Sequence, residues 1–292
     1  MPELPLDIAA LEIWLAGREA AFSDIRPGLA KEIIWADPKA KAKTPLGIVY
    51  VHGFSASKGE VRPLPDLVAH ALGANLFYTR LAGHGRSGAA MAEATVADWQ
   101  ADMIEALAIG ARLGERMVLV ATSTGAPLCV DALLSHAAHS ADVAGVVFLS
   151  PNFGIKAKAA RLLTGPFAGL LARLIIGRER AFEPRNDLHA AYWTNRYPVE
   201  ALLPMAALVK QVAAMAFEKA SIPALFIASP RDTVVDPERT AAVARRWGAP
   251  VVEIDPGEIG DIDGHLPAGD ALSPGSTERL AAKIIKWIRN QI

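Results

Sequence analysis

Val118-Leu119-Val120-Ala121-Thr122-Ser123-Thr124-Gly125-Ala126 decides the reading of this chain. A continuous apolar run enters, small and hydroxyl residues turn, and an apolar helix pattern leaves. Ala126, Cys129, Val130, Leu133 and Leu134 recur at helical spacing after the turn, predicting a helix from Gly125 to His136. A sharp strand-to-helix turn brings the backbones two positions either side of its apex close together. Ala121 and Gly125 hold those positions, and both are small. Such a turn lifts the Ser123 oxygen above the sheet, and the helix behind it favours developing negative charge. Ala121 stands where the usual pattern has Gly. Thr122 and Thr124 are rival hydroxyls, but they flank the apex.

The same rhythm extends in both directions. Leu46–Val51, Asn75–Arg80, Met117–Ala121, Val143–Leu149, Ala224–Ala228 and Val251–Ile254 read as buried strands. Val68–Leu72, Val96–Leu113 and Pro237–Trp247 suit helices, as does the tail from Thr277 with Leu280, Ile284, Trp287 and Ile288 on one face. Apolar strands spaced by helices predict an α/β chain with a mostly parallel sheet covered on both faces. Between Pro151 and Ser221 no convincing strand is visible, and helical patterns mix with Gly, Pro and aromatics. The expected organisation is a core of residues 1–150 and 221–292 with a helical cap at 151–220.

Composition excludes several classes. The 292 residues are 52% hydrophobic, with 30 Lys+Arg against 31 Asp+Glu. That supports a sizeable core, and no like-charged run invites nucleic acid. No apolar stretch is long enough to span a membrane. The N-terminal residues carry no basic segment of a secretory signal. Cys129 is the only cysteine, which excludes an internal disulfide and suits a reducing, cytoplasmic location. No metal-ligand spacing is present, and neither a metal nor a cofactor is expected.

A serine nucleophile needs a base, and the base needs an orienter. The expected chain order is Ser, acid, His. His136 and His139 lie at the end of the exit helix, and His189 follows no strand. His265 sits in Gly260-Asp261-Ile262-Asp263-Gly264-His265-Leu266, a loop beyond the last strand. Asp232 is the first acid after the strand Ala224–Ala228. Asp236 precedes Pro237 and suits a helix N-cap; Asp261 and Asp263 suit solvated loop roles. His52-Gly53-Phe54 ends the first strong strand. Its turn can aim the Phe54 N–H at the site, beside the Thr124 N–H, as a two-donor oxyanion hole.

The ordered set His52-Gly53, Ala82-Gly83-His84-Gly85-Arg86-Ser87-Gly88, Ala121-Thr122-Ser123-Thr124-Gly125, Arg231-Asp232-Thr233-Val234-Val235 and Gly264-His265 resembles the α/β-hydrolase superfamily. Its carboxylesterase and monoacylglycerol-lipase-like branch is the nearest likeness, and Thr95-Val96-Ala97-Asp98-Trp99-Gln100-Ala101-Asp102 is similar to it as well. The resemblance spans about residues 45–288. It implies cofactor-free, two-step acyl transfer on a small-molecule ester: Ser123 attacks, His265 takes the proton, Asp232 steadies His265, and the Phe54 and Thr124 amides hold the oxyanion. The apolar run Leu162–Ile176 can wall an acyl chain or touch lipid, but a packing role or a dimer contact is the plainer expectation. Alternatives on this fold are carbon–carbon bond or thioester hydrolysis, or binding without catalysis. Acyl length and oligomeric state are not readable.

Overall fold

The computed structural model describes residues 3–135, 141–156, 163–165 and 168–292. His136, His139, Leu162, Pro166 and Phe167 lie outside them. In chain order, α1 (Leu11–Glu19) precedes β1 (Glu32–Ile34) and β2 (Thr44–Val51). Next come α2 (Leu64–Leu72), β3 (Asn75–Tyr78), α3 (Gly88–Glu93), α4 (Val96–Leu113), β4 (Gly114–Thr122), α5 (Gly125–Ser135) and β5 (Val143–Leu149). An insertion carries α6 (Ala168–Ile175), β6 (Glu179–Ala181), α7 (Asp187–Tyr192), β7 (Arg196–Pro198) and α8 (Leu202–Ala213). The chain then returns through β8 (Ala224–Ile227), α9 (Pro237–Arg246), β9 (Val251–Ile254) and α10 (Pro274–Gln291).

Seven strands form one sheet in the order β1-β3-β2-β4-β5-β8-β9. All neighbours pair in parallel except β1, which runs antiparallel to β3 at the edge. This is the α/β-hydrolase architecture, a mostly parallel sheet with helices on both faces.

Side-chain alternation along the strands divides the core in two. Val49, Val51, Leu119, Ala121, Phe148 and Phe226 join α4 and α5 on one face. Ile48, Tyr50, Val118, Val120, Val147, Leu149, Leu225 and Ile227 join α2 and α10 on the other. The helices start for local reasons. Thr95 and Asp98 close a reciprocal capping box at α4, and Asp236 caps α9 by accepting the Glu238 N–H. The first residue of α10 has no side-chain cap bond behind it. Leu280, Ile284, Trp287 and Ile288 hold that helix instead. Burying four such side chains is worth roughly 6–12 kcal/mol gross, against about 1 kcal/mol for a cap.

The insertion departs from the all-helical expectation. β6 and β7 form a small two-stranded antiparallel sheet of three residues per strand, with α7 between them in the chain. Part of the apolar run packs, since Leu163 and Ala172 are buried with Val199 and Ala206. Its other face is open: Leu170, Leu174 and Ile175 are exposed. Among the described residues no helix is long and apolar enough to cross a membrane.

Candidate active site

β4 ends at Thr122 and α5 begins at Gly125, so two residues make the whole turn. Ser123 sits at its apex with φ of 49°, a left-handed conformation that costs a non-glycine residue about 1–3 kcal/mol. The surroundings hold it there. Its N–H donates to the Leu149 carbonyl at 3.0 Å, and its carbonyl accepts from Ala126 at 3.1 Å and Asn152 at 3.0 Å. Gly125 is dictated by crowding, because a Cβ there would lie 2.4 Å from the Val51 carbonyl oxygen. Ala121 is fully buried in the β4 ladder.

His265 Nε2 lies 3.1 Å from Ser123 Oγ, and His265 Nδ1 lies 2.8 Å from Asp232 Oδ2. The three residues come from 142 and 33 positions apart in sequence and meet at the carboxyl end of the sheet. Asp232 is 1% exposed, and its other oxygen accepts the Val234 and Val235 N–H groups at 2.8 and 3.0 Å. A carboxylate held this way cannot swing away from the imidazole. Burial opposes protonation of His265. The hydrogen bond and charge of Asp232, with the charges of Asp261 and Glu60, outweigh it and raise the His265 pKa above its usual 6.5.

The Phe54 and Thr124 N–H groups border the same cleft as Ser123, and among the described residues neither has a protein acceptor. The turn carrying Phe54 is fastened from two sides. His52 Nε2 accepts the Leu81 N–H at 3.0 Å, so the ring proton is on Nδ1, which donates to the Gly53 carbonyl at 2.9 Å. Burial first, then neighbouring His84, depresses the His52 pKa to about 3, so it stays neutral. The Gly53 N–H donates to Glu60 Oε1 at 2.6 Å. The Phe54 ring packs edge-on against Tyr197, His84 and Trp99.

The cleft has a volume of about 670 Å³. Ile155, Leu202, Met205, Val234 and Val235 supply apolar wall. Among the described residues of the 162–176 run none borders it, in keeping with the packing role expected for that run; Leu202 and Met205 of α8 and Val234 and Val235 of the Asp232 loop line the cleft instead.

The rival residues separate cleanly. His189 borders the cleft but stacks on Phe182 and accepts the Arg185 N–H at 3.2 Å. Asp236 is a helix cap. Asp261 corrects the expectation of a solvated acid. It is 5% exposed, and Oδ2 accepts the His265 and Leu266 N–H groups at 3.1 and 2.8 Å. Arg185 from the insertion forms ion pairs with Asp261 and Asp263. Sequence reading missed Glu60, Arg185 and Asn152 at this cleft: Glu60 and Arg185 stand in no motif and at no strand end, and Asn152, three residues beyond β5, matches no catalytic pattern.

The serine aminopeptidase S33 family matches residues 43–255. A thermostable monoacylglycerol lipase from Bacillus sp. (strain H-257) is 29% identical over 202 residues, covering 69% of this chain and 76% of that protein. A structure of metagenome-derived lipolytic enzymes superposes with a TM-score of 0.69 at 19% identity, covering 91% of this chain and 99% of that one. The monoacylglycerol lipase of Paleococcus ferrophilus gives 0.63 at 17% identity, with 90% and 99% covered. These two structures share the fold. The match to the family takes in most of the sheet and the elbow, and the chain belongs to the serine aminopeptidase S33 family of α/β-hydrolases.

Proposed function

We propose that this chain is a serine esterase that cleaves small-molecule carboxylic esters with apolar acyl groups, monoacylglycerol-like lipids among them. The observation that carries the reading is the unbroken relay from Ser123 Oγ to His265 at 3.1 Å and from His265 to Asp232 at 2.8 Å. Ser123 attacks the ester carbonyl while His265 Nε2 accepts its proton. Asp232 fixes the Nδ1–H tautomer and stabilises the imidazolium that results. The oxyanion rests on the Phe54 and Thr124 N–H groups, each worth about 3–4 kcal/mol in the transition state. The imidazolium then protonates the leaving alcohol. Water, activated by the same His265, releases the acid from the acyl-enzyme. No cofactor takes part in these steps. Residues 151–220 act as a cap over the core of residues 1–150 and 221–292, with α8 lending Leu202 and Met205 to the cleft.

The apolar side of the cleft and the lipase and esterase names of several relatives support esters over other bonds. Hydrolysis of a p-nitrophenyl ester series, short to long acyl, by the native protein and by Ser123→Ala tests the reading. Turnover lost in the variant supports it, and the preferred acyl length sizes the cleft. Equal rates in both proteins overturn it.

A further inference from the structure

Glu60 is 2% exposed and lies in a short turn just after the Gly53–Phe54 turn. Its Oε1 accepts the Gly53 N–H at 2.6 Å and the Tyr50 hydroxyl at 2.7 Å. The Tyr50 oxygen is also 2.8 Å from Thr122 Oγ1. Thr122 directly precedes Ser123, and Gly53 directly precedes Phe54. A buried chain of Gly53, Glu60, Tyr50 and Thr122 therefore ties the turn offering the Phe54 N–H to the elbow bearing the nucleophile. The other oxygen of Glu60 is close by as well. A Cβ on Gly53 would lie 3.1 Å from Glu60 Oε2 and 3.1 Å from Ser123 Cβ, so the carboxyl and the nucleophile flank one glycine. Glu60, Ser123 and His265 border the same cleft.

A carboxyl group buried among neutral donors costs stability when it ionises with no cation beside it. The basic residues near it in sequence are engaged elsewhere: Lys58 with Glu32, and Arg62 with Glu32 and Asp66. Among the described residues no Lys or Arg pairs with Glu60. A purely structural acceptor here would be served as well by an uncharged side chain.

We propose that Glu60 is a positioning residue of the reaction, locking the Gly53–Phe54 turn to the Ser123 elbow and standing as a second carboxyl group in the field of His265. The inference rests on the proposed roles of Ser123 and Phe54. The groups facing Glu60 are Tyr50 from β2, Gly53 from its turn and, across the shared cleft, Ser123 from the elbow and His265 from its loop. His265 is faced by Asp232, Asp261 and Glu60. Once ionised, which burial delays to about pH 7, Glu60 favours the imidazolium, so removing its charge weakens the hold of His265 on its proton in the upper part of the acid limb. Glutamine at position 60 can accept the same two hydrogen bonds without carrying charge. Leucine can do neither.

The test is kcat and KM for a p-nitrophenyl ester across about pH 5 to 10, for the native protein, Glu60→Gln and Glu60→Leu, with Ser123→Ala as the blank. Glu60→Gln is expected to keep kcat within about tenfold and to move the acid limb to lower pH. Glu60→Leu is expected to lose about a hundredfold in kcat, with KM within about threefold, as for a displaced oxyanion donor. If Glu60→Leu does not fold, the acid limb of Glu60→Gln decides alone. An acid limb that stays in place, equal losses in both variants, or a change confined to KM overturns the inference. Native turnover lost in Ser123→Ala leaves the esterase reading standing whatever the Glu60 variants do. Native turnover that does not depend on Ser123 overturns both.

Discussion

Arg185, in the insertion between β6 and α7, forms an ion pair with Asp261, the carboxylate that accepts the backbone N–H of His265. The insertion thus reaches His265 through one intermediate side chain. Thr233, next to Asp232, joins the same assembly: its N–H donates to the Asp263 carbonyl at 2.9 Å. The loops carrying Asp232 and His265 are fastened to each other and to the insertion.

Arg185→Ala should therefore reduce activity without touching the relay. It leaves Asp261 buried with no cation. Breaking a buried pair costs about 3–5 kcal/mol, and the partial exposure of Arg185 brings the expected loss down to about 1–3 kcal/mol. Thermal melts check the stability, and kcat should fall more than KM rises. Arg185→Lys should recover part of both.

The pH–rate profile should show an acid limb centred above pH 6.5, because the neutral imidazole accepts the proton and the His265 pKa is raised. The same shift carries a stability term. His265 stabilises the folded chain below its unfolded pKa, and that contribution fades as pH rises through the folded value. Asp232→Asn removes the largest cause holding the pKa up. The acid limb should then move down in pH, with kcat lower by about 10³–10⁴.

Glu60 has a separate signature in stability. Burial lifts its pKa to about 7 from 4.5, against the opposing hydrogen bonds of Tyr50 and Gly53. Below pH 4.5 both the folded and unfolded states hold the proton. Between 4.5 and about 7 only the folded state keeps it, so stability falls as pH rises, and above that range the loss persists. Glu60→Gln should raise Tm relative to the native protein more at about pH 8 than at about pH 5. Paired melts at the two values check this, and an equal change at both contradicts it.

Gly125→Ala should destabilise the chain by about 1–3 kcal/mol or more, since the new methyl meets the Val51 carbonyl and the ladder beside it cannot shift. Urea melts of this variant measure the loss.

Much of the fold is legible because strands β2, β4, β5 and β8 carry apolar runs bounded by turn residues, and α4 carries its own capping box; β9 is a strand where expected, but as the sheet edge it is not buried, with Val252 and Glu253 exposed. Strand alternation then assigns each side chain to one of the two cores. The β6–β7 pair is invisible, because each strand has three residues, and β6 is exposed throughout. β1 is missed for the same shortness. Within the cleft, Ser123 and Asp232 stand where a strand ends or just beyond, and His265 is in the loop between the last strand and the last helix, so chain order and local pattern find them. Glu60 and Arg185 act through contacts made only in three dimensions: Glu60 with Tyr50, and Arg185 with a loop 76 residues away. Asp261 looks like any loop acid until its three backbone donors, Asp263, His265 and Leu266, are seen.

The most direct test of the central claim is labelling with an active-site alkyl phosphonate, followed by peptide mass mapping. The expected result is one adduct on Ser123, absent from Ser123→Ala and strongly slowed in His265→Ala. An adduct on Thr122 or Thr124, or a native protein that takes no label, would contradict the account.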